Sequence, residues 1–595
     1  MAIASTAPQE LLGHPKGLYV CFLTEMWERF AFYGMKALLL MYLTKYHLFT
    51  DANGYLLLGT YAGLAYALPL IGGMLADRYL GMRKAVVFGG LLLVIGQFGM
   101  GYIGQAATGT PDAAVRDALA VQIMYASLAL IGVGVGFLKP NISTIVGRLY
   151  PENDPRRDSG FTIFYAGINL GAMLSSLVVG YIGFNVGWGW GFGLSGALML
   201  VGLIQFLWGQ RYLDGHAEPP DAQALRKPVL AGLSAEWLIY LGGILVTVAM
   251  WQVLQIRIDF SFLGGMFGGH EVTLTEVLAV ILGIGLFIWF GWFLFSGITA
   301  QERGRMIVLM VLIVVSALFW GLYEQTYGTW VAFNDRLMST EFFPGMMTVK
   351  DPPLPWSILS LIVIPLGFVA AMKLDAARAS LGKGIIAAIT VVMLVCLVHD
   401  VFIVKQNAGS LTFLGSLFVI LLTPVFTALW PILDKYGINP SSPAKFGIGL
   451  IFAGLATGIL MYAAKQSDGS QLISVWWLVA AYFVLELGEM VLSPIGLSAV
   501  TQLSVSRVVG LMMGAWFLFS AFGEIIAGRF GTWAAITPNP DGTFDKAKAL
   551  AVYSDVFGDL MWIGVGAGVV MLALAPILAR TMRAAPAHGV VASAS

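Results

Sequence analysis

Nine ionisable residues sit inside otherwise apolar stretches of the chain. Glu25, Glu28, Arg29 and Lys36 share the block 18–43, and Lys139, Glu324, Glu486, Glu489 and Glu524 follow in later blocks. Carboxylates placed beside guanidinium or ammonium groups can do two kinds of chemistry. They exchange protons with water, and they pair with the opposite charges of a small polar solute. Glu25, Glu28 and Arg29 are spaced i, i+3 and i+4, so a helix carries them on one face. Tyr33, four residues beyond Arg29, and Lys36, three further, prolong that stripe.

The surroundings make these charges costly. The chain has 595 residues, 58% hydrophobic and 11% charged, against about 25% charged in an ordinary soluble domain. Blocks such as 18–43, 55–76 and 85–103 reach the roughly 20 residues needed to cross a bilayer. A charge at the bilayer centre costs roughly 2.5–3.5 kcal/mol, so nine on lipid faces would cost on the order of 20–30 kcal/mol. They must pair, take up protons or face water. One isolated pair reads equally well as a structural bridge between helices. A cluster with partners on at least four helices favours a polar pathway.

Sixteen apolar spans are expected, beginning near residues 18, 54, 84, 119, 160, 188, 229, 275, 306, 355, 383, 410, 446, 474, 508 and 558. With a cytoplasmic N-terminus, the cytoplasmic loops carry twice as many Lys and Arg as the opposite loops. That bias is expected of a multi-pass membrane protein with both termini in the cytoplasm. The polar stretch 214–227 reads as a linker between halves, 333–355 as a long outward-facing loop, and the small polar tail 584–595 as disordered. Residues 1–16 show no removable signal peptide.

Other chemistries find no support. The 33 basic and 33 acidic residues balance, so no general attraction to nucleic acid is expected. The six histidines have no metal-ligand spacing, and no metal or cofactor is expected. Cys21 and Cys396 lie in separate apolar blocks and form no disulfide framework. Gly132, Gly134 and Gly136 lack the strand and Lys-Ser/Thr pair of a phosphate loop and read as a close-packing surface. No nucleophile–base arrangement is visible, so an enzyme is not expected. Trp188, Trp190, Trp237, Trp476 and Trp477 fall near span ends and read as interfacial anchors.

Five ordered segments resemble a known family. Residues 25–34 (EMWERFAFYG) resemble the E-x-x-E-R-F-x-Y-Y-G signature of the proton-dependent oligopeptide transporters, a branch of the major facilitator superfamily. Residues 73–83 (GMLADRYLGMR), 136–147 (GFLKPNISTIVG), 161–171 (FTIFYAGINLG) and 488–497 (GEMVLSPIGL) resemble later family segments, and 439–443 (NPSSP) and 512–516 (MMGAW) fit as well.

The resemblance implies an all-α fold of two six-helix bundles. The expected division is a cytoplasmic N-terminus at 1–17, one bundle at 18–212, a linker with two inserted helices at 213–305, a second bundle at 306–583 and a cytoplasmic tail at 584–595. Twelve helices plus two leave one further pair, at about 355–404, expected to pack peripherally. The implied activity is proton-coupled import of di- and tripeptides by a monomer. The alternatives are a symporter for another small zwitterion or anion, or a membrane receptor that has lost transport.

The family's residue roles carry over by position. Arg29 and Lys139 would receive the peptide carboxylate, and Glu489 the amino terminus. Tyr33, Tyr66 and Asn169 would line the site, with Trp320 and Trp516 as apolar walls. Glu25 and Glu28 would take up protons in competition with Arg29, and Glu324 joins the proton-coupling set. Lys36 with Glu324, and Lys139 with Glu489, would form the two gating salt bridges. Phe32, Ala172 and Tyr323 depart from the family's pattern, which bears on side-chain preference and proton stoichiometry. Glu486 and Glu524 are expected to be packing charges.

Overall fold

The computed structural model describes residues 10–151, 154–258, 272–344, 354–374, 379–539 and 543–583. The tail 584–595 and the stretch 345–353 of the expected loop lie outside them. In lipid every backbone N–H and C=O must be satisfied within its own segment, which selects helices. Fourteen helices among the described residues are long and apolar enough to cross a membrane. The charge-rich Lys16–Met41 and the shorter apolar Ser357–Met372 complete the sixteen expected.

In chain order the first half comprises α1 (Lys16–Met41), α2 (Asp51–Leu80), α3 (Met82–Met100), α4 (Ala118–Arg148), α5 (Arg156–Asn185) and α6 (Trp188–Tyr212). Two inserted helices follow, α7 (Ala235–Val253) and α8 (Leu274–Leu294). The second half opens with α9 (Ala300–Leu337). The extra pair is α10 (Ser357–Met372) and α11 (Ser380–Ile403). The chain then resumes with α12 (Ser410–Lys435), α13 (Ser442–Gln466), α14 (Trp476–Leu503), α15 (Ser506–Trp533) and α16 (Lys546–Met582).

Local sequence sets many of the starts. Thr50 and Asp117 accept backbone N–H bonds at the heads of α2 and α4. Thr273–Glu276 and Thr299–Glu302 form reciprocal capping boxes at α8 and α9, satisfying donors a helix start would leave free. The expected span near 229 begins later, because residues 228–234 form a short antiparallel hairpin before α7. The expected loop at 333 begins later too, since α9 continues to Leu337. The expected linker 214–227 docks rather than hanging free: Arg83 donates its N–H to Ala217 O at 2.9 Å and grips both carboxylate oxygens of Glu218.

The halves meet along two helix pairs, α2 with α15 and α5 with α12. The first crossing is close because it is lined with glycine. A Cβ on Gly59 would lie 2.8 Å from both Glu524 O and Gly528 Cα, so a larger residue would push α15 away and carry Glu524 with it. Helix α7 packs on α4, and α8 touches α2 and α15.

The extra pair belongs by sequence to the second half, yet α10 leans on the first. Lys16 Nζ donates to Met372 O at 2.7 Å and Leu374 O at 3.0 Å, and Tyr19 packs on Phe368. Both oxygens of Asp400 cap the head of α10, accepting from Trp356 N at 2.7 Å and Ser357 N at 2.9 Å.

Candidate functional site

A cavity of about 270 Å³ lies between the halves, near the lower end of the roughly 300–1,000 Å³ typical of small-molecule sites. From the first half it is lined by Tyr33, Tyr66, Lys139 and Asn169, and from the second by Trp320, Glu324, Glu489 and Trp516. All eight were singled out from sequence. Tyr165, Tyr323, Tyr327, Ser493 and Glu524 also line it. Tyr323 was marked only as a departure from the family's pattern, Tyr165 and Ser493 only as parts of matching segments, and Tyr327 carried no sequence signal separating it from an ordinary packing residue.

Lys139 stands on one wall with its ammonium 4.1 Å from the Tyr66 ring centroid. That contact offsets part of the cost of a cation away from bulk water. Glu489 stands on the wall contributed by α14. Among the described residues no ion pair joins the two, so the expected bridge between Lys139 and Glu489 is not made in this conformation. The helices bearing them, α4 and α14, belong to different halves, and the cavity keeps their charges apart.

Lys36 behaves otherwise. Its ammonium lies 2.6 Å from Glu324 Oε2 and 2.9 Å from Glu524 Oε1, and all three side chains are buried. The expected pair is therefore a triad. Reading Glu524 as a packing charge is corrected: the glycine-lined crossing of α2 and α15 brings it to Lys36. Its position inside an apolar block was the available signal, but nothing local names the partner.

Two more ion pairs join the halves at this end. Arg336 meets both oxygens of Asp51 at 2.7 Å, and Lys45 pairs with Asp335. Tyr33 and Tyr327 stack across the same interface with centroids 5.9 Å apart. The cavity is thus closed where α1 ends and α2 begins.

Glu25, Glu28 and Arg29 form a compact buried group on α1. The Arg29 Nε lies 3.1 Å from Glu25 Oε1 and hydrogen-bonds Glu28 Oε2. Phe32 and Tyr33 cover the guanidinium, at 5.3 and 5.9 Å to the ring centroids. One oxygen of each glutamate and Arg29 Nη2 have no hydrogen-bond partner among the described residues. Arg29 was expected on the substrate surface, yet it is not among the cavity-lining residues. Two carboxylates one turn apart hold it back.

Glu486 also departs from a packing role. It is fully buried on α14 and accepts a hydrogen bond from the Tyr323 hydroxyl at 3.1 Å. Among the described residues no group of three or more His, Cys, Asp or Glu could hold a metal ion.

Two six-helix halves around a central cavity walled by both signs of charge, sealed at one end by inter-half ion pairs, define a membrane transporter rather than an enzyme. The POT family model matches residues 83–364 and 402–543, and the chain belongs to that family. The break at 365–401 falls on the end of α10 and nearly all of α11. The chain is 30% identical to the uncharacterized transporter YclF of Bacillus subtilis, over 98% of each. It is 31% identical to the peptide transporter YePEPT of Yersinia enterocolitica, over 87% of this chain and 88% of that one. The crystal structure of a peptide transporter, POT, in complex with sulfate superposes with a TM-score of 0.70 at 30% identity, covering 98% of each chain.

Proposed function

We propose that this chain imports di- and tripeptides together with protons, by alternating access, as a monomer in the cell (inner) membrane with both termini in the cytoplasm. The observation that carries the reading is the placement of Lys139 and Glu489 on opposite walls of one small cavity. A zwitterion leaving water needs a cation at one end and an anion at the other. Two separated partners, neither ion-paired among the described residues, supply that requirement, and the tyrosines, Asn169 and the tryptophans surround what lies between. Peptide-named relatives support the substrate class.

In this reading the Lys36 triad is the outer gate, shut here, and the cavity faces inward. Closure of Lys139 on Glu489 is the inner gate. Glu25 and Glu28 are the proton acceptors: protonating one weakens its hold on Arg29, freeing the guanidinium for the peptide carboxylate, and deprotonation draws it back. The driving force suffices without a cofactor. A total force of about 150 mV gives roughly 3.5 kcal/mol per proton, enough for accumulation of a few hundredfold.

The test is uptake of labelled dialanine by proteoliposomes under an inward proton gradient. Accumulation that collapses with an ionophore is expected. Binding without uptake favours a receptor, and neither, across a broad panel of peptides, removes the peptide assignment. Glu25→Gln is expected to retain counterflow exchange and lose gradient-driven accumulation. Full accumulation in that variant removes Glu25 from the proton route.

A further inference from the structure

We propose that Glu486 carries a proton in the transport cycle, holding it in common with Glu489 and releasing it once per peptide. This rests on the reading of the chain as a proton-coupled peptide importer.

Glu486 is fully buried, one turn before the cavity-lining Glu489 on α14. The i, i+3 spacing sets the two carboxyls side by side on one face of the helix. Carboxylates only accept, so two carboxyl groups that meet there can bond only if one keeps its proton. The Tyr323 hydroxyl reaches both Glu486 oxygens, at 3.1 and 3.4 Å. Room for the pair comes from α12, where a Cβ on Gly415 would stand 3.0 Å from Glu486 Oε1.

The neighbours offer acids and phenols. Helix α9 brings Tyr323, Tyr327 and Glu324, α5 brings Tyr165, and α14 itself brings Tyr482. Helix α15 contributes Glu524 across the cavity. Helix α13 has Lys445 near its start and Tyr462 and Lys465 near its end, and α12 has Asp434 and Lys435 at its end. Among the described residues neither Glu486 nor Glu489 makes an ion pair. Two bare carboxylates there would face each other without a counter-ion, an arrangement that favours one shared proton.

The charge balance suits symport. With Glu486 holding the proton, Glu489 offers one carboxylate to the peptide ammonium, and the loaded pair is neutral. After the peptide leaves, the proton departs to cavity water; Lys139 closing on Glu489 neutralises one of the two carboxylates left behind, and the Tyr323 hydroxyl donates to the other, Glu486. The next proton enters from the opposite side.

The test is the peptide ratio that balances an imposed gradient in proteoliposomes with the membrane potential clamped at zero. This ratio is thermodynamic, so a slow variant still reports it. For each pH unit imposed, E486Q is expected to balance at a dialanine ratio about tenfold lower than wild type, the loss of one coupled proton. A folded E486Q with the wild-type ratio overturns the proposal. If wild type itself builds no ratio, the import reading fails instead. Should E486Q not assemble, Tyr323→Phe carries the test: a shifted pH midpoint of uptake supports the shared proton, and an unchanged midpoint overturns it.

Discussion

Asp51 and Arg336 face each other across the boundary between the halves with two contacts of 2.7 Å. Asp51 heads α2 and Arg336 ends α9, so the pair ties the first half to the second. Asp51 also accepts from Ile536 N at 3.0 Å, and Arg336 donates to the Tyr553 hydroxyl at 3.0 Å. The planar fork of arginine matches a carboxylate in a way lysine cannot.

Arg336→Ala should therefore loosen this end. Charge-assisted hydrogen bonds are worth about 1.5–3 kcal/mol, so the population open at this end should rise by roughly tenfold or more. Spin-label distances between the ends of α2 and α9 measure it. In a double-mutant cycle with Asp51→Asn the effects should be strongly non-additive. Additive effects would show that the pair holds nothing shut.

Lys36 serves two acids, and its removal strands both. Lys36→Ala should reduce dialanine uptake at least tenfold, because Glu324 and Glu524 are left buried without a cation. Adding Glu524→Gln should restore part of the loss by leaving one acid instead of two. Uptake rates in the single and double variants decide it. No recovery in the double variant would show that Glu524 is not part of the triad's charge balance.

Glu489 should discriminate on the peptide amino group. Glu489→Gln should weaken competition by dialanine at least tenfold and leave competition by N-acetyl-dialanine, which lacks the ammonium, nearly unchanged. Lys139→Ala should show the opposite pattern, penalising free carboxylates over amidated peptides. Competition assays with dialanine, N-acetyl-dialanine and dialanine amide give the answer. Equal losses for all would mean that these residues shape the cavity without reading charge.

Asp117, half-buried at the head of α4, gives a pH-dependent contribution. Backbone N–H groups of Ala120, Gln105 and Leu119 donate to its carboxylate and hold its pKa below the usual 3.8. A depressed carboxyl stabilises the fold above its unfolded pKa, and the stabilisation is lost as pH falls through the folded value. Asp117→Ala should lower the Tm at pH 7 and match wild type once the pH is below the carboxyl titration. An equal deficit at both pH values would assign the effect to something other than the charged cap.

The membrane class, the sixteen helices and the intramembrane charges were legible in the chain because their causes are local. Twenty apolar residues span a bilayer whatever surrounds them, and helical spacing puts Glu25, Glu28 and Arg29 on one face without any partner. The family's motifs further marked the residues that line the cavity. What the sequence could not decide was pairing. Glu524 meets Lys36 only because Gly59 and Gly528 let α2 and α15 touch. Glu486 meets Tyr323 across two helices far apart in the chain, while Lys139 and Glu489 share a cavity and stay unjoined. Arg29, marked from sequence as a substrate contact, is held away from the cavity wall by its own glutamates. An ionic partner is selected by distances of a few ångströms between helices hundreds of residues apart. Only the packing of the two halves sets those distances.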